Sequence, residues 1–290
     1  MNAADSYALV TAAYNEGKFI EGTIASVASQ EIRPTKWIIV SDGSTDDTDA
    51  IVMKWAITHD FIQLYRINED HPRNFAAQVH AINAGIEQLR NERHAFIGNL
   101  DADITFEPSY FRLVLEKFRR NSKLGLAGGA IHDKCPDGAF RYRKTNSATS
   151  VAHAVQLFRR DCFESIGGAY IPLPFGGPDT YAETEARRKG WLVETFRDLK
   201  VYHHRPTASA DGVLRGRFRQ GRMDFSLGVS PIYEAVKLVI RIGNKPYLVG
   251  SMARFAGFLY SYCCGEKRAV SDDFIRYFRG EQMRKLTNIF

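Results

Sequence analysis

The sequence is poor in features that mark secreted, disulfide-bonded or repetitive proteins. Its four cysteines form no C-x-x-C pair and no disulfide ladder, which fits a reducing cytoplasm: Cys135, Cys162, Cys263 and Cys264. Residues 1–7 contain neither a basic cluster nor an apolar segment, so we expect no cleaved secretory signal. No internal repeat or low-complexity segment is visible. With 290 residues, of which 44% are hydrophobic, the chain can bury the core of a soluble globular protein.

The sequence also lacks a long uninterrupted apolar run. Residues 246–265 come nearest, because their one charge is Arg254 near the middle. A central arginine costs about 2.5–3.5 kcal/mol on insertion scales, and Gly and Ser dilute the rest, so a membrane span is disfavoured. Two interpretations stay open for the segment. It is either an interfacial or re-entrant amphipathic element flanked by basic residues, or a core helix packed on the rest of the fold.

Acidic residues are scarce in the last third of the chain. Residues 1–204 carry a net charge of −2, whereas residues 205–290 carry +8. A basic cluster lies there in a predicted helix, at Arg215, Arg217, Arg219 and Arg222. Such a patch can serve nucleic acid, an anionic membrane surface or a phosphorylated substrate, or it can be a solvated helical face. No known nucleic-acid-binding motif accompanies the cluster.

What the sequence does contain is a regular alternation of strands and helices. Short apolar runs predict strands at residues 7–13, 37–40, 62–67, 96–100, 125–131, 155–160, 192–196 and 200–203. Apolar residues at helical spacing predict helices between them, including 78–89, 108–120 and 180–189. Residues 135–150 are interpreted as a hairpin or a mobile loop. This pattern predicts an α/β protein with a mainly parallel sheet and right-handed crossovers.

Two carboxylates, Asp101 and Asp103, follow the predicted strand at residues 96–100. Ligands of α/β proteins bind at the carboxyl ends of the strands, so both side chains are expected at a ligand site. Two hard oxygen donors suit Mg²⁺ or Mn²⁺ carrying substrate phosphates, because these ions leave other positions for phosphate or water. A polar turn after a strand is the alternative, since Asp is common in turns.

Polar groups also follow the first two predicted strands. Thr11, Tyr14 and Glu16 come at the end of the first, and Asp42 at the end of the second. A carboxylate such as Asp42 can accept a hydrogen bond from a base N–H, and a tyrosine ring can stack on the base. Each residue is also explained by turn chemistry alone. Their order, each after a strand, favours a nucleotide site.

Three further residues have the chemistry of a catalytic or metal site. Asp179 follows a Gly/Pro loop and precedes a helix, where it can be a helix N-cap or a general base for a hydroxyl. His203 and His204 follow an apolar strand and could ligate Mn²⁺ beside carboxylates, or form a solvent-exposed pair. Adjacent strand residues face opposite ways, so at most one histidine should point into the site.

Six motifs occur in order along the chain: Thr11-x-x-Tyr14-Asn15-Glu16, Val40-Ser41-Asp42-Gly43-Ser44-Thr45-Asp46, Asn83-Ala84-Gly85, Leu100-Asp101-Ala102-Asp103, Gly176-Gly177-Pro178-Asp179 and Val201-Tyr202-His203-His204. Each is weak alone, but together they resemble a family 2 glycosyltransferase of the GT-A fold over residues 7–205. The resemblance implies a metal-dependent, inverting transfer from a nucleotide-diphosphate sugar to an acceptor hydroxyl.

The resemblance implies roles for the donor-binding residues. Asp42 would read the base, and the nucleotide pocket would be lined by Thr11, Tyr14 and Glu16. Guanidinium groups suit phosphate geometry, so Arg73, and also Arg141 or Arg143, are candidates for phosphate contacts. Residues 135–150 would close over the donor.

The resemblance also implies the metal and catalytic residues. Asp101 would hold the ribose or a metal-bound water, and Asp103 would ligate Mn²⁺ or Mg²⁺ together with His203 or His204. Asp179 would be the general base.

One departure from the family pattern concerns the general base. Many relatives carry Glu-Asp where this chain has Pro178-Asp179, so the first acidic residue is missing. The second is usually credited with the base chemistry, so Asp179 keeps that role. Glu183, one helical turn later, is the alternative.

We predict two domains, a GT-A domain at residues 1–205 and a basic, amphipathic helical extension at residues 206–290. The extension is similar to those of glycosyltransferases that build surface polysaccharide on lipid-linked acceptors. It implies a glycan or lipid-linked acceptor, peripheral membrane contact, and a cytoplasmic location at the inner face of the cell membrane. No nucleic-acid partner is expected.

Two other functions compete with this interpretation. A nucleotidyltransferase of related fold also pairs two carboxylates with a nucleotide. It is disfavoured because Ala12-Ala13-Tyr14-Asn15 is not a Gly-rich, basic phosphate loop. A nucleic-acid-binding module would use the basic residues 215–222, for which only salt-sensitive backbone affinity is expected.

Overall fold

The computed structural model describes residues 5–67, 75–143, 147–205, 212–243 and 246–287. The chain divides into two compact units. The first unit comprises Met1–Ile171 and Pro178–Pro206, and the second comprises Pro172–Gly177 and Thr207–Phe290. A functional domain boundary after residue 205 stays a prediction.

The first unit alternates strands with helices. Its elements are β1 (Tyr7–Ala13), α1 (Ile20–Ala28), β2 (Lys36–Asp42), α2 (Thr48–Ala56), β3 (Ile62–Ile67), α3 (Phe75–Gln88), β4 (Phe96–Leu100), β5 (Ile104–Phe106), α4 (Tyr110–Arg120), β6 (Leu124–Lys134), β7 (Phe140–Tyr142), β8 (Val155–Arg159), α5 (Arg160–Ser165), α6 (Pro178–Arg188) and β9 (Leu192–His203). The strands form one sheet in the order β3-β2-β1-β4-β8-β6-β9-β5, and β7 pairs with β6.

The predicted parallel arrangement is confirmed for the first four strands of the sheet. Strands β3, β2, β1 and β4 run parallel, and so do β6 and β9. The remaining pairs are antiparallel, namely β4 with β8, β8 with β6, β6 with β7 and β5 with β9. The two strands predicted at residues 192–203 are one strand, β9. Its pairing with β6 shifts register between Gly129 and Ala130, which lets the strand continue through a polar stretch.

Period-two alternation builds a core on each face of the sheet. In β1, Tyr7 and Leu9 face one cluster, which includes residues of α1 and α4, and Ala8 and Val10 face the other, which includes residues of α3 and α6. Gly85 shows how closely α3 approaches the sheet, because a Cβ there would lie 2.5 Å from a methyl group of Val10. The glycine of the Asn83-Ala84-Gly85 motif is therefore required for packing. This packing fixes the carboxyl ends of the parallel strands, where the predicted site residues lie.

The second unit is helical in its described residues. Its helices are α7 (Val213–Ser226), α8 (Pro231–Ile240), α9 (Tyr247–Cys263) and α10 (Asp272–Thr287). Helices α7 and α9 pack with almost no space between their backbones. A Cβ on Gly221 would lie 1.8 Å from the carbonyl oxygen of Arg254, and one on Gly257 would lie 2.0 Å from that of Phe218. None of the helices in the described parts of the chain is long and apolar enough to cross a membrane.

Candidate active site

A cavity of about 390 Å³ opens at the carboxyl ends of β1, β2 and β4. Its polar lining consists of five predicted site residues and two polar residues that were not predicted: Tyr14, Glu16, Asp42, Asp101 and Asp103, with Gln78 and Arg205. The side chain of Tyr14 is about half exposed, at 45%, and an aromatic ring on the wall of a cavity suits stacking on a flat ligand. The size and lining of this cavity fit a nucleotide.

Thr11 was predicted to line the nucleotide pocket, but the structure does not bring it to this cavity. It is fully buried within β1, and its hydroxyl accepts a hydrogen bond of 3.0 Å from the indole N–H of Trp37. The Thr11 hydroxyl is therefore the hydrogen-bond partner of the buried Trp37 N–H and does not contact the cavity. Arg73 lies outside the described residues.

The two polar loops after β1 and β2 are tied to each other. The side-chain oxygen of Asn15 accepts from the backbone N–H of Thr45 at 2.8 Å, and the backbone N–H of Gly17 donates to Asp46 at 2.9 Å. Asn15 has a φ of 53°, a left-handed conformation that asparagine tolerates better than most residues. Much of the polar character of these loops is thus structural, and it holds Tyr14 and Glu16 at the cavity.

Asp103 lies at the centre of a charged cluster. Its Oδ2 accepts from Arg205 Nε at 3.0 Å and lies 3.6 Å from His203 Nε2. Its Oδ1 is buried and has no hydrogen-bond partner among the described residues. Arg205 also pairs with Glu16. Burial raises the pKa of Glu16 to about 7, although the positive charge of Arg205 acts in the opposite direction.

His203 lies between two carboxylates. Its Nδ1 is 3.0 Å from Asp133 Oδ1, on the side of the ring opposite to Asp103. Asp133 in turn accepts two hydrogen bonds from Arg143, at 2.8 and 2.6 Å. Burial would raise the pKa of Asp133, but the hydrogen bonds and charge of Arg143 outweigh it and lower that pKa. The Asp133 carboxylate thus orients the imidazole so that Nε2 faces Asp103.

His204 faces away from this cluster. Its Nε2 lies 2.8 Å from the hydroxyl of Thr105, and its ring packs edge-on against Phe140. Burial lowers the pKa of His204, which favours the neutral ring. Of the two predicted histidines, the structure brings the side chain of His203 to Asp103. His203 is the last residue of β9, and consecutive residues along an extended backbone point to opposite sides.

A second cavity, of about 300 Å³, adjoins the first at Asp101, whose side chain contributes to both. Asp179 lines this second cavity together with Arg143, His153 and His203. Helix α6 begins at Pro178, so Asp179 lies in its first turn, where its Oδ1 accepts from the N–H of Thr180 at 2.7 Å. Asp101 therefore belongs to the lining of both the larger cavity and the cavity that contains the predicted base.

Glu183, the alternative base, has a different environment. It is buried, and its Oε1 accepts from the backbone N–H of Val151 at 2.6 Å and from the Ser150 hydroxyl at 3.2 Å. Burial, assisted by the charge of Asp179, raises the pKa of Glu183 to about 8. The side chain does not line either cavity. Its contacts anchor the segment that forms one wall of the second cavity.

The stretch at residues 135–150 begins as a hairpin. Strand β7 pairs with β6, and residues 144–146 lie outside the described chain. Arg141 pairs with Asp137 on the exposed surface of the hairpin, whereas Arg143 lines the second cavity. Of the two arginines predicted as phosphate contacts on this stretch, only Arg143 lies near the site.

Asp103 and His203 fit a divalent cation of the Mg²⁺ or Mn²⁺ class. The buried Oδ1 of Asp103 has no hydrogen-bond partner in the described parts of the chain, and the oriented imidazole of His203 is a suitable neighbour. In the part of the chain that the structure describes, no group of three metal-binding side chains occurs. Ions of this class commonly take one or two protein carboxylates and bind otherwise through substrate phosphates and water.

With this geometry in view, comparison with known proteins gives the family. Residues 8–172 match the model of glycosyl transferase family 2, and the chain belongs to that family. It is 31% identical over 127 residues to the poly-beta-1,6-N-acetyl-D-glucosamine synthase of Staphylococcus epidermidis, and 30% identical over 118 residues to that of Staphylococcus aureus strain COL. These matches cover 43% and 41% of this chain but only 28% and 26% of the two relatives.

Solved glycosyltransferase structures share the fold. The mannosyltransferase PcManGT from Pyrobaculum calidifontis, solved with GDP-Man and Mn²⁺, aligns with a TM-score of 0.58 and 17% identity. That alignment covers 96% of this chain and 84% of the mannosyltransferase. TarS residues 1–349 from S. aureus, solved with UDP-GlcNAc, give a TM-score of 0.57 and 14% identity over 90% of this chain and 76% of that 1–349 chain. The predicted GT-A fold is confirmed.

Proposed function

We propose that the chain transfers a sugar from a nucleoside-diphosphate sugar to an acceptor hydroxyl, with inversion at the anomeric carbon and with a divalent metal. The observation that carries the proposal is the pair of cavities that meet at Asp101. One has the lining of a nucleotide site, and the other holds Asp179. A transferase needs this arrangement because donor and acceptor must meet at the bond that is exchanged.

The donor is proposed to bind in the larger cavity. Asp42 accepts a hydrogen bond from the base, the Tyr14 ring stacks on it, and Asp101 holds the ribose. When bound, Mn²⁺ or Mg²⁺ would be held by Asp103 and His203 and would neutralise the diphosphate leaving group. Family membership favours this donor chemistry over the nucleotidyltransferase and nucleic-acid-binding alternatives.

Arg205 is also proposed to neutralise the charge of the diphosphate, by contacting its phosphate oxygens directly. In the structure its guanidinium forms ion pairs with Glu16 and Asp103. A diphosphate brings two competing anionic groups into the cavity that Arg205 lines. Because guanidinium geometry matches phosphate oxygens, Arg205 turns toward the diphosphate when the donor binds.

The acceptor is proposed to enter through the smaller cavity. Its hydroxyl oxygen attacks the anomeric carbon from the face opposite to the diphosphate, and Asp179 takes the hydroxyl proton. The new glycosidic bond forms as the bond between sugar and phosphate breaks, and the nucleoside diphosphate leaves. Glu183 acts as a positioning residue, because it holds the wall at Ser150 and Val151.

The biological setting is also proposed from the relatives. The curated relatives named above make poly-beta-1,6-N-acetyl-D-glucosamine, and this supports a role in assembly of an exopolysaccharide or cell-surface glycan. The acceptor is then a glycan or a lipid-linked glycan. The protein acts in the cytoplasm at the inner face of the membrane, with peripheral contact through residues 206–290.

A thermal-shift panel tests the proposal. UDP-, GDP-, dTDP- and CMP-sugars are added to the wild-type protein with and without Mn²⁺. One donor should raise the melting temperature in a metal-dependent way, since a ligand that binds only the folded state stabilises it. The Asp103→Asn variant should lose the metal-dependent part of the shift, and the matched surface variant Asp137→Asn should keep it. No shift with any donor would overturn the proposal.

A further inference from the structure

Helix α8 buries its charged side chains and exposes its large aliphatic ones, which is the reverse of the usual arrangement. Its two charged residues face inward, with Glu234 only 2% exposed and Lys237 largely buried. Large aliphatic side chains face outward, among them Ile232 and Val239, of which Val239 is 66% exposed. At 3.6 residues per turn, the charged and aliphatic positions lie on opposite sides of the helix. A helix that packs in a water-soluble protein normally has the opposite arrangement.

Helix α9 repeats the reversal. Its inward face combines four small residues with Phe258, which packs in the core of this unit, and with the helix's single charged residue, Arg254, which is largely buried. Its outward side chains are large and apolar, and they form one stripe along the helix: Leu248, Val249, Met252, Leu259 and Tyr260. A helix of 17 residues is about 25 Å long, so the stripe is an extended surface and not an isolated exposed leucine.

An ion-pair network fixes this orientation. Asp224 of α7 accepts from Arg254 Nε at 2.7 Å and from Lys237 Nζ at 2.9 Å, and Lys237 Nζ also lies 2.6 Å from Glu234. Rotating either helix to bury its aliphatic face would leave these buried charges without partners, which costs several kcal/mol for each ion. The apolar stripes of α8 and α9 are therefore a permanent outer surface of the second unit.

The charge of this part of the chain identifies what covers the stripes. The second unit carries a net charge of +7, so a second copy would bring two positively charged surfaces together. An anionic lipid surface offers hydrocarbon to the stripes and negative headgroups to the excess positive charge of this unit. We propose that the second unit docks on anionic membranes through the outward faces of α8 and α9. The inference rests on the membrane contact within the proposed function and identifies its surface.

Co-sedimentation with lipid vesicles tests this docking surface. Purified protein is mixed with vesicles of phosphatidylcholine alone or with phosphatidylglycerol added, at low and high salt. The variant Leu248→Ser/Met252→Ser/Leu259→Ser replaces three of the five apolar side chains of the α9 stripe, and none of the three is buried. Ile57→Ser is the matched control, because Ile57 of the first unit is 85% exposed. The donor-induced thermal shift of each variant is recorded as an independent measure of the site.

The wild type and the Ile57 variant should sediment with the anionic vesicles, more strongly at low salt. The triple variant should bind at least about tenfold less, since each serine removes apolar area from the contact. Equal vesicle binding by the triple variant and the wild type would overturn the proposal. So would a wild type that ignores vesicles and forms dimers that the triple variant does not form. Either result could accompany a normal donor shift, so a failure here is distinguishable from failure of the proposed function.

Discussion

Replacing Glu183 tests whether a buried carboxyl holds the acceptor-side wall. In Glu183→Ala the backbone N–H of Val151 loses its 2.6 Å partner, and the Ser150 hydroxyl loses its acceptor. Leaving a buried donor unpaired costs about 1–3 kcal/mol, and the missing side-chain atoms leave a cavity that adds to this loss. We therefore expect the free energy of unfolding to fall by at least about 2 kcal/mol at pH 6. Glu183→Gln keeps an acceptor oxygen and should lose much less.

The raised pKa of Glu183 should also make the free energy of unfolding depend on pH. The pKa of Glu183 is raised from 4.5 to about 8 in the folded protein, so the folded state binds this proton more tightly than the unfolded state does. The stability that the proton contributes is complete below pH 4.5 and is lost as the pH rises toward about 8. Within that window the slope is at most about 1.4 kcal/mol per pH unit. Glutamine does not titrate, so Glu183→Gln should lack this part of the slope.

Urea unfolding at several pH values between 5 and about 8.5 measures both effects. Subtracting the Glu183→Gln curve from the wild-type curve removes the contribution of other titrating groups. Parallel curves for the two proteins would refute a tightly held proton. An alanine variant as stable as the wild type at pH 6 would refute the anchoring role. Donor binding in the larger cavity should change little in either variant.

Three further predictions concern other parts of the molecule. Asp133→Asn should weaken donor-free Mn²⁺ binding by about tenfold in calorimetric titration, because the metal-facing imidazole loses its orienting carboxylate; Asp137→Asn, on the same hairpin, should not. Arg205→Met should tighten donor-free Mn²⁺ binding, because the wild-type guanidinium neutralises the carboxylates at the metal site. The same variant should weaken donor binding by about tenfold, because the diphosphate loses a guanidinium partner. Unchanged affinities for both ligands would contradict this. Gly257→Ala should destabilise the second unit by about 1–3 kcal/mol in thermal unfolding, because its Cβ meets backbone of α7. Gly243→Ala, where the space is open, should behave like the wild type.

Much of the first unit follows from local patterns. Runs such as β1, β2 and β4 are long, apolar and followed by polar turns, so both the strands and the edge that holds Asp42, Asp101 and Asp103 can be predicted. Strands β5 and β7 have three residues each and give no periodic signal. The antiparallel pairing in the second half of the sheet depends on long-range contacts that spacing along the chain does not encode.

The sequence predicts a site residue only where a side chain of suitable chemistry directly follows a predicted strand. The family motif that contains Thr11 predicts a contact with the nucleotide. In the structure the Thr11 hydroxyl instead accepts a hydrogen bond from Trp37 on the neighbouring strand. Arg205 and Asp133 were not predicted as members of the site, because their partners are far away in the sequence. Arg205 bonds Asp103 across 102 positions, and Asp133 meets His203 across 70. A cation directly after a histidine pair is the one local signal that could have indicated Arg205.

The separation of roles between Asp103 and Asp179 is the central claim, and one comparison tests it most directly. Donor binding and release of nucleoside diphosphate are measured for Asp179→Asn beside Asp103→Asn, with Mn²⁺ present. Asp179→Asn should bind the donor like the wild type but turn it over about 10²–10⁴-fold more slowly, the usual contribution of a general base. Asp103→Asn should lose metal-dependent donor binding itself. Full turnover by Asp179→Asn, or an equal loss of donor binding in both variants, would contradict the account.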